Sequence, residues 1–224
     1  MPCYNEGKSL PHSIPPLCQL LDKLAIDCEV VLVDNGSADD TGAVINNLRA
    51  QYPRISKAIV EKNQGYGFGI TTGMKAARGE IIGYMCADGQ IEAEDVVRTI
   101  WAMDKLGKGH VSKVRRVTRD DGFIRWMVSR FYNGLFLAMF GVATTDVNGT
   151  PKWLHRDDLA AINPASKDWF IDAEVMIGAK RGRLTVVEVP VNFLKRKQGK
   201  SRVRFMTCFE FLKNMLRERF RRGR

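Results

Sequence analysis

No apolar run in this sequence approaches the ~20 residues that a membrane-spanning helix needs; the best candidate, Leu135 to Ala143, is far too short. Met1 opens no signal peptide, because Asn5, Glu6 and two early prolines interrupt any apolar core. The expected location is therefore the cytoplasm. The five cysteines, Cys3, Cys18, Cys28, Cys86 and Cys208, are an odd number without a C-x-x-C pair, which argues against a disulfide framework or a zinc knuckle and leaves reduced thiols. There is no internal repeat and no low-complexity tract, so the chain reads as one folded unit. What is present is a hydrophobic content of 45% over 224 residues, enough for one sizeable domain with a core.

Charge is distributed unevenly. Residues 1–194 carry 23 Lys and Arg against 23 Asp and Glu, while residues 195–224 carry 12 against 2, so the whole net charge of +10 lies in the last 30 residues. Such a block serves as a solvated tail, a nucleic-acid contact or an anionic-membrane contact. No recognised nucleic-acid module accompanies it, so nucleic acid is not an expected partner. Phe205, Phe209, Leu212, Leu216 and Phe220 recur at helical spacing with Lys213, Arg217, Arg219, Arg221 and Arg222 around them. That pattern predicts a basic amphipathic helix over 205–224, lying on an anionic membrane surface or packing on the core by its apolar stripe.

In the first half, apolar strand-like runs end in turn chemistry and pass into helical patterns: "CEVVLVDNGSADD" (28–40), "KAIVEKNQGYG" (57–67) and "EIIGYMCADGQ" (80–90). The alternation predicts an α/β fold with a mostly parallel sheet flanked by helices at about 15–25, 39–51, 68–78 and 92–106. Ser37 is the expected cap of the second helix, with Asp39 and Asp40 in its first turn. Ligands of open sheets collect beyond the carboxyl ends of the strands, where Asp34, Asn63 and Asp88 all fall. Each alone is also ordinary turn chemistry. "NQGYGFG" (63–69) adds glycines that let backbone approach a phosphate or base. Beyond residue 110 the alternation stops, and the pattern predicts a long helix over 123–140, a strand-like piece at 147–155, a helix at 170–182 and a strand at 184–193.

Together "PCYNE" (2–6), "VLVDNGSADDT" (31–41), "NQGYGFGITTGMKAARGE" (63–80) and "MCADGQ" (85–90) resemble the nucleotide-sugar half of glycosyltransferase family 2, with its GT-A fold. "RWMVSRFYN" (125–133), "DVNGTPK" (146–152), "DAEVMIGAKRG" (172–182) and "EVPVNFLKRKQGKSR" (188–202) resemble the dolichyl-phosphate mannose synthase branch, which glycosylates polyprenyl phosphates. The likeness implies a single GT-A domain over 1–204, with a nucleotide-sugar half at 1–110 and an acceptor half at 111–204. It implies donor contacts from Pro2, Tyr4, Asn5, Glu6, Asp34, Asn63 and Gly65. Asp88, with Gln90 beside it, would hold Mg²⁺ or Mn²⁺ against the donor diphosphate. Two departures stand out. Cys86 replaces the usual first carboxylate of the D-x-D pattern, and a neutral thiol is a poor ligand for a hard cation. The apolar strand that normally precedes P-x-Y-N-E is missing, so a shortened first strand or a rearranged sheet is expected.

A lipid-phosphate acceptor, with a second pKa near ~6, is mostly dianionic at neutral pH and needs cations rather than a base. The branch's acceptor-phosphate positions correspond to Arg125 and Ser129 on one helix face and to Arg196, Lys200 and Ser201 after the late strand. Asp146 is a further carboxylate that the branch places in its active site. A sugar-hydroxyl acceptor would instead need a general base, for which Asp172 is the candidate; Glu174 falls on another helix face. The expected reaction is metal-dependent, inverting transfer from a nucleoside-diphosphate sugar to a polyprenyl phosphate, at the cytoplasmic face of a membrane. Transfer to a glycan hydroxyl, and binding of nucleotide-sugar or anionic lipid without turnover, stand beside it.

Overall fold

A computed structural model describes residues 1–119, 123–195 and 205–220, with the backbone alone at 119, 123–126 and 205–209, and among these residues seven strands and eight helices alternate except where α6 is followed by α7. The first half is built of β1 (Pro2–Cys3), α1 (Leu10–Lys23), β2 (Val30–Asn35), α2 (Thr41–Gln51), β3 (Ile55–Val60), α3 (Tyr66–Ala76), β4 (Ile81–Tyr84) and α4 (Ala93–Leu106). The second half holds β5 (His110–Arg119), α5 (Phe123–Phe140), β6 (Lys152–His155), α6 (Arg156–Ile162), α7 (Ile171–Arg181), β7 (Thr185–Phe193) and α8 (Phe205–Phe220). This is the single α/β domain that the sequence predicts, with helices packed around its sheets.

The strands form a three-stranded parallel sheet, β1-β2-β3, and a four-stranded mixed sheet, β4-β6-β5-β7. In the first, Val33 stands opposite Pro2 and Ala58, and the short β1 spans two residue pairs only. In the second, β6 runs antiparallel to both β4 and β5, and β7 lies parallel to β5. The carboxyl ends of β2 and β3 therefore share one edge, as parallel pairing requires.

Three expectations of local structure are corrected. Helix α1 starts at Leu10, not 15, and runs through Pro15 and Pro16. Each proline removes an amide donor, but Leu10, Ile14, Leu17, Cys18 and Leu21 make one buried stripe against the core, and that burial sets the helix. Ser37 does not cap α2, which begins at Thr41 with Asp39 and Asp40 ahead of it. Its hydroxyl instead accepts the Asn5 N–H at 3.1 Å, and Asp39 receives the Thr41 N–H at 3.0 Å. Finally, α6 and β5 occur where no element was expected. Helix α6 follows β6 directly, with His155 as its cap and Asp157 and Asp158 in its first turn.

Helices α5, α7 and α8 enclose a cluster that includes Phe136, Phe140, Ala173, Met176, Ile177 and Met215. Helix α8 is thus integral to the fold. Glu218 pairs with Arg181 at 2.7 Å, and the Asn214 amide donates to Asp168 at 2.8 Å.

Candidate functional site

Asp34 is the last residue but one of β2, Asn63 follows β3 and Asp88 follows β4, so the structure brings the three to the strand ends that the sequence assigned them. Around Asp34 the segment 2–7 is docked on residues 37–41. The Asn5 side chain accepts the Ala38 N–H at 2.8 Å, the Glu6 N–H donates to Thr41 Oγ1 at 2.8 Å, and the Gly7 N–H donates to Asp39 at 3.3 Å. Asn5 takes a positive φ of 52°, a conformation Asn tolerates better than most residues. Asp34 Oδ1 accepts the Ser37 N–H at 3.2 Å, and Pro2, Tyr4 and Glu6 lie on the same docked segment.

Asn63 accepts the Gly65 N–H at 2.8 Å, and Asn35 donates to the Gly65 carbonyl at 3.0 Å, which fixes the glycine loop to the end of β2. The close backbone approach that these glycines permit is made by the chain itself. A Cβ at Gly65, whose φ is +113°, would lie 2.3 Å from the Lys167 carbonyl oxygen, and one at Gly67 would lie 2.1 Å from that of Ser166. The segment 166–168 therefore seats on the loop, Phe68 N–H donates to the Lys167 carbonyl, and Trp169 stacks on Tyr66 with ring centroids 4.1 Å apart. The Tyr66 hydroxyl in turn lies 3.5 Å from the Cys86 sulfur. None of Tyr66, Trp169 or the 166–168 carbonyls could be read as site elements from sequence.

Asp88 sits in a turn with Gly89 at φ +69°, and one of its oxygens accepts the Gln90 N–H at 3.2 Å. Gln90 faces the other way as well: its side-chain nitrogen donates to the Leu194 carbonyl at 2.9 Å, and the Leu194 N–H returns a bond to the Gln90 carbonyl. Gln90 thus ties the Asp88 turn to the end of β7, where the chain leaves for 196–204. Among the described residues no three His, Cys, Asp or Glu side chains cluster to hold a metal. Asp88 supplies a carboxylate, the donor type a Mg²⁺-like cation prefers, and would be the residue to hold such an ion here, while the Cys86 thiol two residues before it is a poor ligand for it.

In the second half Asp172 is 3% exposed. It pairs with the fully buried Lys152 and accepts the Tyr84 hydroxyl at 3.0 Å. Burial pushes the Lys152 ammonium down despite this carboxylate, and burial together with Asp172 raises the Tyr84 hydroxyl. Glu174 lies apart, accepting the N–H groups of Ala165 and Ser166.

Asp146 is buried against Arg116, which donates Nε at 2.7 Å and Nη2 at 2.6 Å to its two oxygens, with the Arg116 backbone N–H at 3.1 Å. Burial alone would raise this carboxyl, but the guanidinium holds it well below the usual carboxylate range. The Lys113 ammonium, pushed down to about 8 by burial, donates to the Asp146 and Val114 carbonyls and pairs with Glu188 at 3.4 Å. Asn133 on α5 brackets the turn, donating to the Thr145 carbonyl at 2.9 Å and accepting the Val147 N–H at 3.0 Å. Lys113, Arg116, Asn133 and Glu188 form this framework, and the sequence reading named none of them. Glu188 within the otherwise apolar "LTVVEVPVNF" was the available signal, because a carboxylate in such a strand needs a buried partner. Ser129 is half-buried on α5, while Arg196, Lys200, Ser201 and the side chain of Arg125 lie outside the described residues. The Tyr132 hydroxyl on α5 is buried and finds no hydrogen-bond partner among the described residues.

Glu188 offers a pH test of this framework. Burial opposes its charge, but Lys113 and the hydrogen bonds from Thr144 and Thr145 outweigh it and lower the carboxyl. A lowered carboxylate contributes stability above its unfolded pKa and loses it as pH falls through the folded value. Glu188→Gln is therefore expected to be less stable at neutral pH and to lose less stability than the wild type between about pH 5 and 3, as read by urea unfolding across that range. Parallel pH profiles for the two proteins would refute the assignment.

The sequence model of Glycosyl transferase family 2 matches residues 1–163. Among solved structures, the chain is similar to glucosyl-3-phosphoglycerate synthase from Mycobacterium tuberculosis. With the complex holding Mn²⁺, uridine-diphosphate-glucose and phosphoglyceric acid it gives a TM-score of 0.74 at 16% identity, covering 97% of this chain and 77% of that one. With the complex holding Mg²⁺ and uridine-diphosphate the TM-score is 0.71 at 17% identity, covering 97% and 76%. At such identities the likeness establishes a shared fold.

Proposed function

The chain belongs to glycosyl transferase family 2, and from that premise we propose that it transfers a sugar from a nucleoside-diphosphate sugar to a polyprenyl phosphate at the cytoplasmic face of a membrane. The observation that carries the acceptor class is the state of Asp172. A hydroxyl acceptor needs a base, and the candidate carboxylate is buried and engaged by Lys152 and Tyr84. A phosphate acceptor is mostly dianionic at neutral pH and attacks without one.

In this reading the docked segment 2–7 and Asp34 hold the nucleoside, because a carboxylate accepts two ribose hydroxyl hydrogens well. Asn63 shapes the glycine loop beside it. Asp88 holds Mg²⁺ or Mn²⁺, as the similar Mycobacterium tuberculosis enzyme is complexed with these ions. The ion, when bound, offsets charge developing on the leaving diphosphate. Arg125 with Ser129, and Arg196 with Lys200 and Ser201, take the acceptor phosphate. Gln90 keeps the Asp88 turn in register with the chain entering 196–204, and Asp146 and Asp172 keep the acceptor wall in place.

The test is a panel of radiolabelled nucleotide-sugars offered with polyprenyl phosphate, phosphoglyceric acid or oligosaccharide. Label is expected to enter the organic phase with polyprenyl phosphate. Label moving only to phosphoglyceric acid or oligosaccharide would overturn the acceptor, and donor binding without transfer to any acceptor would leave a binding module. Arg125→Ala and Arg196→Ala are each expected to weaken use of the lipid phosphate by about 10- to 100-fold, the loss of a charge-assisted contact of roughly 1.5–3 kcal/mol, with donor affinity unchanged. Equal loss of donor binding in both variants would move these residues out of the acceptor site.

A further inference from the structure

We propose that the outer faces of α5 and α8 form one surface that docks the protein flat on an anionic bilayer, a reading that rests on the lipid-phosphate acceptor proposed above and extends it from the basic tail to a second helix. Both helices turn one stripe to the same core cluster, through Phe136 and Phe140 on α5 and Met215 on α8. The Tyr132 and Phe211 rings meet at 5.1 Å between them, so the helices lie side by side and their other stripes face away from that core. On α5 those outward positions are Met127, Val128, Phe131 and Leu137, all exposed, with Phe131 at 74%. On α8 they are Leu212, Leu216 and Phe220, the last at 78%. A helix of a water-soluble domain is expected to be polar there.

The charge on this surface identifies what covers it. Lys213, Arg217 and Arg219 are exposed among the apolar residues of α8, and the last 30 residues hold the whole excess of +10. Glu210 is also exposed, and Glu218 is neutralised by Arg181. A second copy of this chain would bring the same positive charge to the contact, whereas anionic headgroups bring the opposite one. Among the described residues no helix is long and apolar enough to cross a membrane. An apolar face flanked by Lys and Arg then inserts part-way into the headgroup boundary.

Sedimentation with vesicles that contain no polyprenyl phosphate tests this on the full chain. Phosphatidylglycerol-rich vesicles are expected to bind the wild type far better than phosphatidylcholine vesicles, with binding weakened by salt because surface attraction is screened over ~10 Å at 0.1 M. Phe131→Glu and Phe220→Glu each place a charge on the outer face without touching the core, and each is expected to weaken binding at least about tenfold. Unchanged binding of Phe131→Glu would remove α5 from the surface. Equal binding to the neutral vesicles would remove the charge argument, and a dimer in ultracentrifugation that Phe131→Glu dissolves without affecting vesicle binding would assign the face to a second copy. Transfer to detergent-dispersed polyprenyl phosphate separates the two readings. Activity there without vesicle binding sinks the docking surface alone, and vesicle binding without that activity sinks the acceptor alone.

Discussion

Asp88→Ala is expected to abolish sugar transfer, by on the order of 10³-fold or more, because it removes the carboxylate proposed to hold the cation and, among the described residues, no cluster of His, Cys, Asp or Glu can replace it. The turn at Gly89 and the bond from the Gln90 N–H hold this carboxylate in place. Cys86→Asp is the informative partner. The Cys86 sulfur is half-buried beside the Tyr66 hydroxyl, a donor that a carboxylate at 86 can use, so the substitution is expected to fold and to add a second oxygen ligand. Mn²⁺ affinity, followed by the spin-resonance signal of the free ion, should rise about tenfold with activity retained. Full activity of Asp88→Ala in chelator would refute the role of Asp88. A Cys86→Asp variant with unchanged Mn²⁺ affinity would show that position 86 does not face the cation.

The placement of Asp34, Asn63 and Asp88 at strand ends was legible because its signals are local. An apolar strand that runs into Asp-Asn-Gly or Cys-Ala-Asp-Gly specifies both the strand and the end at which the polar group falls, and in an open α/β sheet that end is the ligand edge. The buried framework of Lys113, Arg116, Asp146 and Glu188 was not legible, because its bonds join residues distant in sequence: Lys113 with Glu188 across 75 positions, and Arg116 with Asp146 across 30. Strand β5 was hidden for the same reason. Its Lys113, Arg115 and Arg116 break an apolar pattern, and only partners supplied by β7 and the 144–149 turn make a buried lysine tolerable there. Glycines 65 and 67 were expected to let backbone approach a phosphate or base, and what lies against them in the structure is the 166–168 segment, about a hundred residues away. In α8 two stripes have helical spacing. The sequence reading took the one through Leu212, Leu216 and Phe220, which is exposed, and missed Phe211 and Met215, which hold the helix to the core.

The Lys152–Asp172 pair gives the largest expected effect on stability. Both side chains are buried, Lys152 fully, and removing one member leaves the other charge in a low-dielectric interior. Lys152→Met is therefore expected to cost about 3–5 kcal/mol, measured by urea unfolding at neutral pH. In Lys152→Met/Asp172→Leu no charge remains, and most of that loss should return, because an apolar pair of similar volume can replace a buried ion pair at little cost. Tyr84 then loses its acceptor, and its orphaned hydroxyl limits the recovery by about 1–3 kcal/mol. The same residues separate the two acceptor chemistries. If the acceptor is a phosphate, Asp172→Asn is expected to be destabilised by the unpaired Lys152 charge yet to stay folded under assay conditions, since the amide oxygen still accepts from Tyr84 and Lys152, and transfer by the folded variant to polyprenyl phosphate should stay within about tenfold of wild type. Loss by 10³-fold or more in a variant that circular dichroism shows to be folded at the assay temperature would make Asp172 the base for a hydroxyl acceptor and end the phosphate reading.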